Sequence, residues 1–189
     1  MNIQSLTKFT AAIELASAAH QSQVRKGNGM PYISHPYMVG ILLMDAGCHE
    51  DVVIAGILHD VIEDTSCTEK DIEDKFGKIV LNLVQGSSEP DKSASWEERK
   101  KHTISFIEQE ATVEVCQIAC ADKLHNVHSL KQDMKKQGEA VWKHFNRGKD
   151  QQRWYYYSLV EALRKKVSGF SLYVQLEKEV AEVFESQRT

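Results

Sequence analysis

Residues 52–62 read Val-Val-Ile-Ala-Gly-Ile-Leu-His-Asp-Val-Ile, an apolar run with a histidine and an aspartate set inside it. Glu63 and Asp64 follow at once, so four ionisable side chains fall within six positions, 59–64. An apolar run of this kind reads as a helix buried on all sides. Burying that much charge without compensation is expensive. The chain therefore has to fold so that something neutralises these groups, and a divalent cation is the simplest candidate.

The remaining composition narrows the class. The chain has 189 residues, enough for one domain or a domain with a tail, and 42% hydrophobic with 26% charged residues is ordinary globular usage. Its net charge of −4 argues against a general nucleic-acid binder, which usually carries a basic excess, but is compatible with a small anionic ligand held by a local basic patch. No segment reaches the apolar length of a transmembrane helix. Residues 1–19 mix Gln, Lys, Thr and Glu with apolar side chains, unlike a signal-peptide core. Cys48, Cys67, Cys116 and Cys120 form no Cys-x-x-Cys; Cys116 and Cys120 share a helix face and read as small core residues. Together these features point to the cytosol.

Helical period runs through nearly every segment, and no convincing strand alternation occurs. Residues 5–23 form a first amphipathic helix. A Gly-rich loop over 25–34 follows, and then a helix with Pro36 at its first position and Gly47 past its end. A third helix carries His59 and Asp60. Thr68-x-x-Asp71 and Ser95-x-x-Glu98 look like capping boxes, the first opening a short helix that ends near Gly77. Residues 86–94 read as a surface loop. Val113-Glu114-Val115 could start a strand, but the spacing after it is helical. Two last helices are expected over 151–166 and 171–186. The expectation is an all-α single-domain bundle over residues 1–166, with a C-terminal helix in 167–189 packing on it or on a second subunit, which leaves a homo-oligomer open.

His59 and Asp60 are adjacent; Asp122 follows another apolar helical stretch; His35 stands at a loop-to-helix junction before Pro36. Two imidazoles and two carboxylates suit a borderline cation such as Mn²⁺, Fe²⁺, Co²⁺ or Zn²⁺, and leave positions for water or substrate. The absence of cysteine from the set argues against a structural zinc. Taken singly, each residue has a plainer reading, since a buried polar group normally just finds a hydrogen-bond partner.

The ordered set Arg25-Lys26, Pro31-Tyr32-Ile33-x-His35-Pro36, Leu58-His59-Asp60-x-x-Glu63-Asp64-Thr65, Phe76-Gly77 and Ala121-Asp122-Lys123-Leu124-x-Asn126 resembles the hydrolase domain of RelA/SpoT-type proteins, within the HD-domain metal phosphohydrolases. The likeness covers about residues 8–165. Phe145-Asn146-Arg147-Gly148-Lys149 and Trp154-Tyr155 look like the stand-alone small alarmone hydrolase branch. The resemblance implies an HD-type fold that removes the 3′-pyrophosphate of (p)ppGpp. It implies His35, His59, Asp60 and Asp122 as ligands of one Mn²⁺ ion, Glu63 and Asp64 as the catalytic acidic pair, and Arg25, Lys26 and Asn126 as nucleotide contacts. The long hydrolases carry a Thr-Lys-type sequence after the Phe-Gly helix, where this chain has Ser87-Ser88-Glu89-Pro90-Asp91-Lys92. That departure bears on substrate contacts from this loop, not on the metal ligands.

Pyrophosphate release needs water to attack a strongly anionic phosphorus. A cation polarises a phosphate oxygen and lowers the pKa of water. Glu63 lies four residues after His59 and so sits one turn along the same helix face, and Asp64 bears the same relation to Asp60. The pair could then orient water and divide general-base and general-acid roles. Lys123 either approaches the leaving group or pairs with an acid; Asn126 either bonds a ribose hydroxyl or anchors its own helix. Lys92, Arg99, Arg147, Lys149 and Arg153 are further cations, most of them expected at the surface. His20, His49, His102, His125, His128 and His144 take structural readings, His125 least securely because it is close to Asp122. Two rivals stand beside the main reading. One is the same chemistry on adenosine alarmones or the 2′-phosphate of NADPH; the other is a non-catalytic nucleotide sensor.

Overall fold

A computed structural model describes residues 3–25, 29–89 and 93–185. Among these residues the chain is helical, with no strand: α1 (Ile3–Ala19), α2 (Ser34–Asp45), α3 (Glu50–Leu58), α4 (Val61–Asp64), α5 (Glu69–Phe76), α6 (Lys78–Ser87), α7 (Trp96–Gln109), α8 (Val113–Gln137), a 3₁₀ turn (Gly138–His144), α9 (Lys149–Val167) and α10 (Ser171–Glu185). One isolated bridge, Val24 to Pro31, closes the loop after α1. This is the all-α single domain that the periodicity predicts.

The apolar run becomes α3, the centre of the bundle. Every residue from Val52 to Leu58 is buried, packed by α1, α2, α6 and α8. Glu50 and Asp51 occupy its first turn, where carboxylates favour the helix dipole. The helix does not continue through the charged residues as the pattern predicts. It stops at Leu58; His59 (φ −57°, ψ −31°) and Asp60 (φ −98°, ψ −6°) form a turn, and α4 is a single turn beyond it. Asp60 sits near the sparsely populated bridge region, where active-site residues recur. The Asp64 N–H still donates to the Asp60 carbonyl at 2.9 Å, so the break shifts the helix without unwinding it.

α2 and α3 form a hairpin that pairs closely because glycine lies on both sides of the contact. A Cβ at Gly40 would lie 2.5 Å from Ile57 Cγ1, and one at Gly56 would lie 2.3 Å from Leu43 Cδ1. Pro36 is the third residue of α2 rather than the first, still within the turn whose N–H groups have no helical acceptor. Both expected capping boxes are present, Thr68 with Asp71 and Ser95 with Glu98. Gly77 (φ 86°, ψ 172°) joins α5 to α6 in a conformation open essentially to glycine alone. Thr112 caps α8, so Val113–Val115 is helical. α10 lies along α8 and α9, burying Leu172, Tyr173, Leu176, Val180, Val183 and Phe184. Cys116 and Cys120 are buried free thiols, pushed up in pKa by burial. No helix among the described residues is long and apolar enough to cross a membrane.

Candidate metal centre and active site

The α2–α3 hairpin places the start of one helix beside the end of the other. His35, the second residue of α2, therefore faces His59 and Asp60, which follow α3 directly. Asp122 arrives from the middle of α8, which packs on both helices. His59 Nε2 lies 3.0 Å from Asp60 Oδ2 and 3.9 Å from Asp122 Oδ1. His35 Nε2 lies 3.2 Å from Asp122 Oδ1 and 3.8 Å from Asp60 Oδ2. One ligand atom each of His35, His59 and Asp60 falls within 4.8 Å of the others. Both imidazoles are buried, at 1% and 2% exposure.

A backbone hydrogen bond orients His59. Its Nδ1 lies 2.8 Å from the Gly56 carbonyl, which makes Nδ1 the donor and leaves Nε2 with a lone pair. That Nε2 is buried and has no hydrogen-bond partner, although carboxylate oxygens surround it. A lone pair facing two carboxylates is repulsive, so either a proton or a metal cation stands among them. Burial works against a charged His59, but the Asp60 and Asp122 carboxylates outweigh it and push its pKa up to about 9. Burial dominates at His35 and lowers its pKa. Asp60 and Asp122 stay below the usual carboxylate range in spite of burial; His59 chiefly holds Asp60 there, and Lys123 chiefly holds Asp122. The donor set of two imidazoles and two carboxylates fits a divalent cation of borderline softness.

An outer ring holds these four residues in place. His35 Nδ1 lies 2.7 Å from His125 Nδ1, and His125 is held neutral, its pKa lowered to about 4 mainly by burial. The Tyr32 hydroxyl donates to Asp60 Oδ2. Burial first, and then Asp60, push the Tyr32 phenol well above its usual range. Asn126 Nδ2 donates to Asp122 Oδ1 at 2.6 Å, and Arg25 donates to Asn126 Oδ1 at 2.9 Å. Lys123 Nζ pairs with Asp122 Oδ2 at 2.7 Å. Lys123 and Asn126 both reach Asp122, and both also line the cavity over the cluster.

A cavity of about 500 Å³ opens over the cluster, lined by Tyr32, His35, His59, Asp60, Glu63, Glu89, Arg99, Lys100, Asp122 and Lys123 among others. It shares Tyr32, Arg99, Lys100, Lys123, Asn126 and Tyr155 with a second lobe of about 680 Å³ that adds Arg25, Asp64, Trp96, Phe145 and Tyr156. The acidic pair is therefore split: Glu63 faces the lobe with the cluster, Asp64 the other. Burial raises the Glu63 pKa, and its Oε2 accepts the Glu89 N–H at 3.0 Å. Lys26 and Lys92 lie outside the described residues. Arg147 and Lys149 pair with Glu97 and Glu139 away from the cleft, and Arg153 stacks over Tyr157.

Sequence reasoning missed Tyr32, Lys100 and Glu89, and gave His125, His102 and His144 no site role, although His102 and His144 line the two lobes. His125 carried a signal in its position near Asp122, Tyr32 in its place within the Pro31–Pro36 motif, and Glu89 in the loop that departs from the long hydrolases.

Residues 12–150 match the HD domain family. The bifunctional (p)ppGpp synthase/hydrolase SpoT of Escherichia coli K12 is 35% identical over 132 residues, which is 66% of this chain and 18% of that protein. The chain thus spans only a small part of the curated relatives it matches. Among solved structures, a Listeria monocytogenes EGD-e protein is 36% identical with a TM-score of 0.74, covering 80% of this chain and 99% of that one. A metazoan ortholog of SpoT, described as hydrolysing ppGpp and acting in starvation responses, is 29% identical with a TM-score of 0.76 over 96% of both chains. With the family match spanning all four cluster residues and most of the chain, this chain belongs to the HD-domain family.

Proposed function

We propose that this protein is a cytoplasmic, Mn²⁺-dependent hydrolase of guanosine alarmones, converting (p)ppGpp and water to GDP or GTP and pyrophosphate. The observation that carries the reading is the convergence of His35, His59, Asp60 and Asp122, with each imidazole Nε2 buried and within 3.0–3.9 Å of both carboxylates. The solved relative described as hydrolysing ppGpp, matched over 96% of both chains, and the 132 residues shared with the (p)ppGpp synthase/hydrolase SpoT support the choice of substrate.

His35, His59, Asp60 and Asp122 would hold the ion, which supplies Lewis acidity toward a phosphate oxygen and water. Glu63 takes a proton from the attacking water. It is the acid that faces the cluster's own lobe, and burial raises its pKa, which makes it a stronger base than an exposed carboxylate. Arg99, Lys100 and Lys123 bring positive charge to the same lobe, matched to the pyrophosphoryl group that water attacks as the ribose 3′-oxygen leaves. Arg25, Tyr155 and Tyr156 line the other lobe, which has room and aromatic surface for a nucleoside. Asp64 on that side is a candidate proton donor.

The test is an assay of the purified, Mn²⁺-loaded protein with ppGpp, with products and bound metal measured together. GDP and pyrophosphate are expected from the wild type. Asp60→Ala should lose metal and turnover, while Glu63→Gln should keep the metal and lose about 10²–10⁴ in rate. Tight binding without products under several divalent metals would overturn the enzymatic reading in favour of a nucleotide sensor.

A further inference from the structure

Glu89 follows α6 and enters the cleft beside the metal cluster. Its Oε2 accepts from Arg99 Nη1 at 2.8 Å and its Oε1 accepts from Lys100 Nζ at 2.5 Å. The side chains of Glu89, Arg99 and Lys100 are only 13%, 26% and 16% exposed, so this is not a solvated surface pair. Lys100 is fixed further by lying 4.8 Å above the Tyr155 ring. One carboxylate thus bridges two cations with its two oxygens, as a phosphate group would. The main chain of the same residue donates to Glu63 at 3.0 Å, and the neighbouring Ser88 hydroxyl reaches the His59 carbonyl at 3.4 Å.

We propose that Glu89 is a resident counter-anion, an internal competitor that the substrate's phosphates displace from Arg99 and Lys100. The proposal rests on the reading of this cleft as a pyrophosphate-releasing site. A pyrophosphoryl group brings several negative charges and more acceptor oxygens than one carboxylate, so it wins the exchange. A weakly charged anion trades like for like and gains nothing. Glu89 therefore sets the charge an entering ligand must carry, and makes it a specificity-determining residue. By the same competition the released pyrophosphate is expelled as Glu89 returns.

The test uses equilibrium dialysis of radiolabelled inorganic pyrophosphate against the whole Mn²⁺-loaded protein. Glu89→Gln keeps the shape of the side chain and removes its charge. Pyrophosphate should bind about tenfold more tightly to the variant, equivalent to about 1.4 kcal/mol. Glu89→Ala should move affinity in the same direction, and the gain should disappear in a Lys100→Met background. Unchanged or weaker binding in both Glu89 variants would overturn the proposal, because Glu89 would then shape the site rather than compete for it. The dialysis requires no turnover. A protein that fails to hydrolyse ppGpp yet gains pyrophosphate affinity on Glu89→Gln would refute the alarmone reading and leave the competitor standing.

Discussion

Gly56→Ala tests how the packing of α2 on α3 sets the geometry of the cluster. Gly56 has two roles: it leaves room for Leu43, and its carbonyl orients His59. An alanine Cβ would lie 2.3 Å from Leu43 Cδ1 and 3.4 Å from Val39 Cγ1, and both neighbours are fully buried, with no free space to move into. Overpacking of this kind costs about 1–3 kcal/mol. The better helix propensity of alanine offsets about 1 kcal/mol of that. The expected net loss is about 0–2 kcal/mol, or up to about 8 °C in Tm for a chain of this size. Relief by pushing α2 outward would carry His35 away from His59, and metal affinity should drop about 10–100-fold, as when an outer-ring partner is lost. Gly148→Ala is the control, since its Cβ meets only Gln151 Oε1 at 3.5 Å. Thermal melts and metal-binding calorimetry on the same preparations read both effects. A Gly56→Ala protein that melts at or above the wild-type temperature and binds metal equally well would refute the claim that this contact sets the site.

Two further outcomes follow from the cluster's surroundings. His125→Phe keeps a ring beside His35 but removes its hydrogen-bond partner, so divalent-metal affinity should fall about 10–100-fold with partial recovery in His125→Asn; equal affinity in all three proteins would deny His125 its positioning role. Metal affinity should also fall as pH falls. In the metal-free protein His59 holds a proton below about pH 9, and the metal must displace that proton to reach Nε2. The loss approaches tenfold per unit from about pH 9 downward, with proton uptake or release countable by calorimetry in buffers of different ionisation heat; affinity flat over that range would contradict it.

Much of the fold was legible because its signals are local. The Thr68 and Ser95 boxes need only residues three apart, and Gly47 and Gly77 mark helix ends by backbone conformation alone. The interruption at His59–Asp60 was not legible, since the apolar pattern runs straight through it to Val61 and Ile62. The four proposed ligands could be named because their motifs are recognisable, and the structure brings them together. Their supports could not, since each is a tertiary contact. His125 meets His35 across 90 positions, and Arg25 meets Asn126 across 101. Glu89 looked like loop polarity; only the fold shows that α7 delivers Arg99 and Lys100 to it.

The hairpin of α2 and α3 also bears on how the chain assembles. His35, His59 and Asp60 belong to neighbouring helices joined by a short connection, so they can meet early through short-range contacts. Asp122 joins them only once α8 has docked. A cation that requires all four groups would bind the finished bundle and not the hairpin alone, and would act as a fastener between the first half of the chain and the second. Chelation should then loosen the seam between α8 and the hairpin before it disturbs either side.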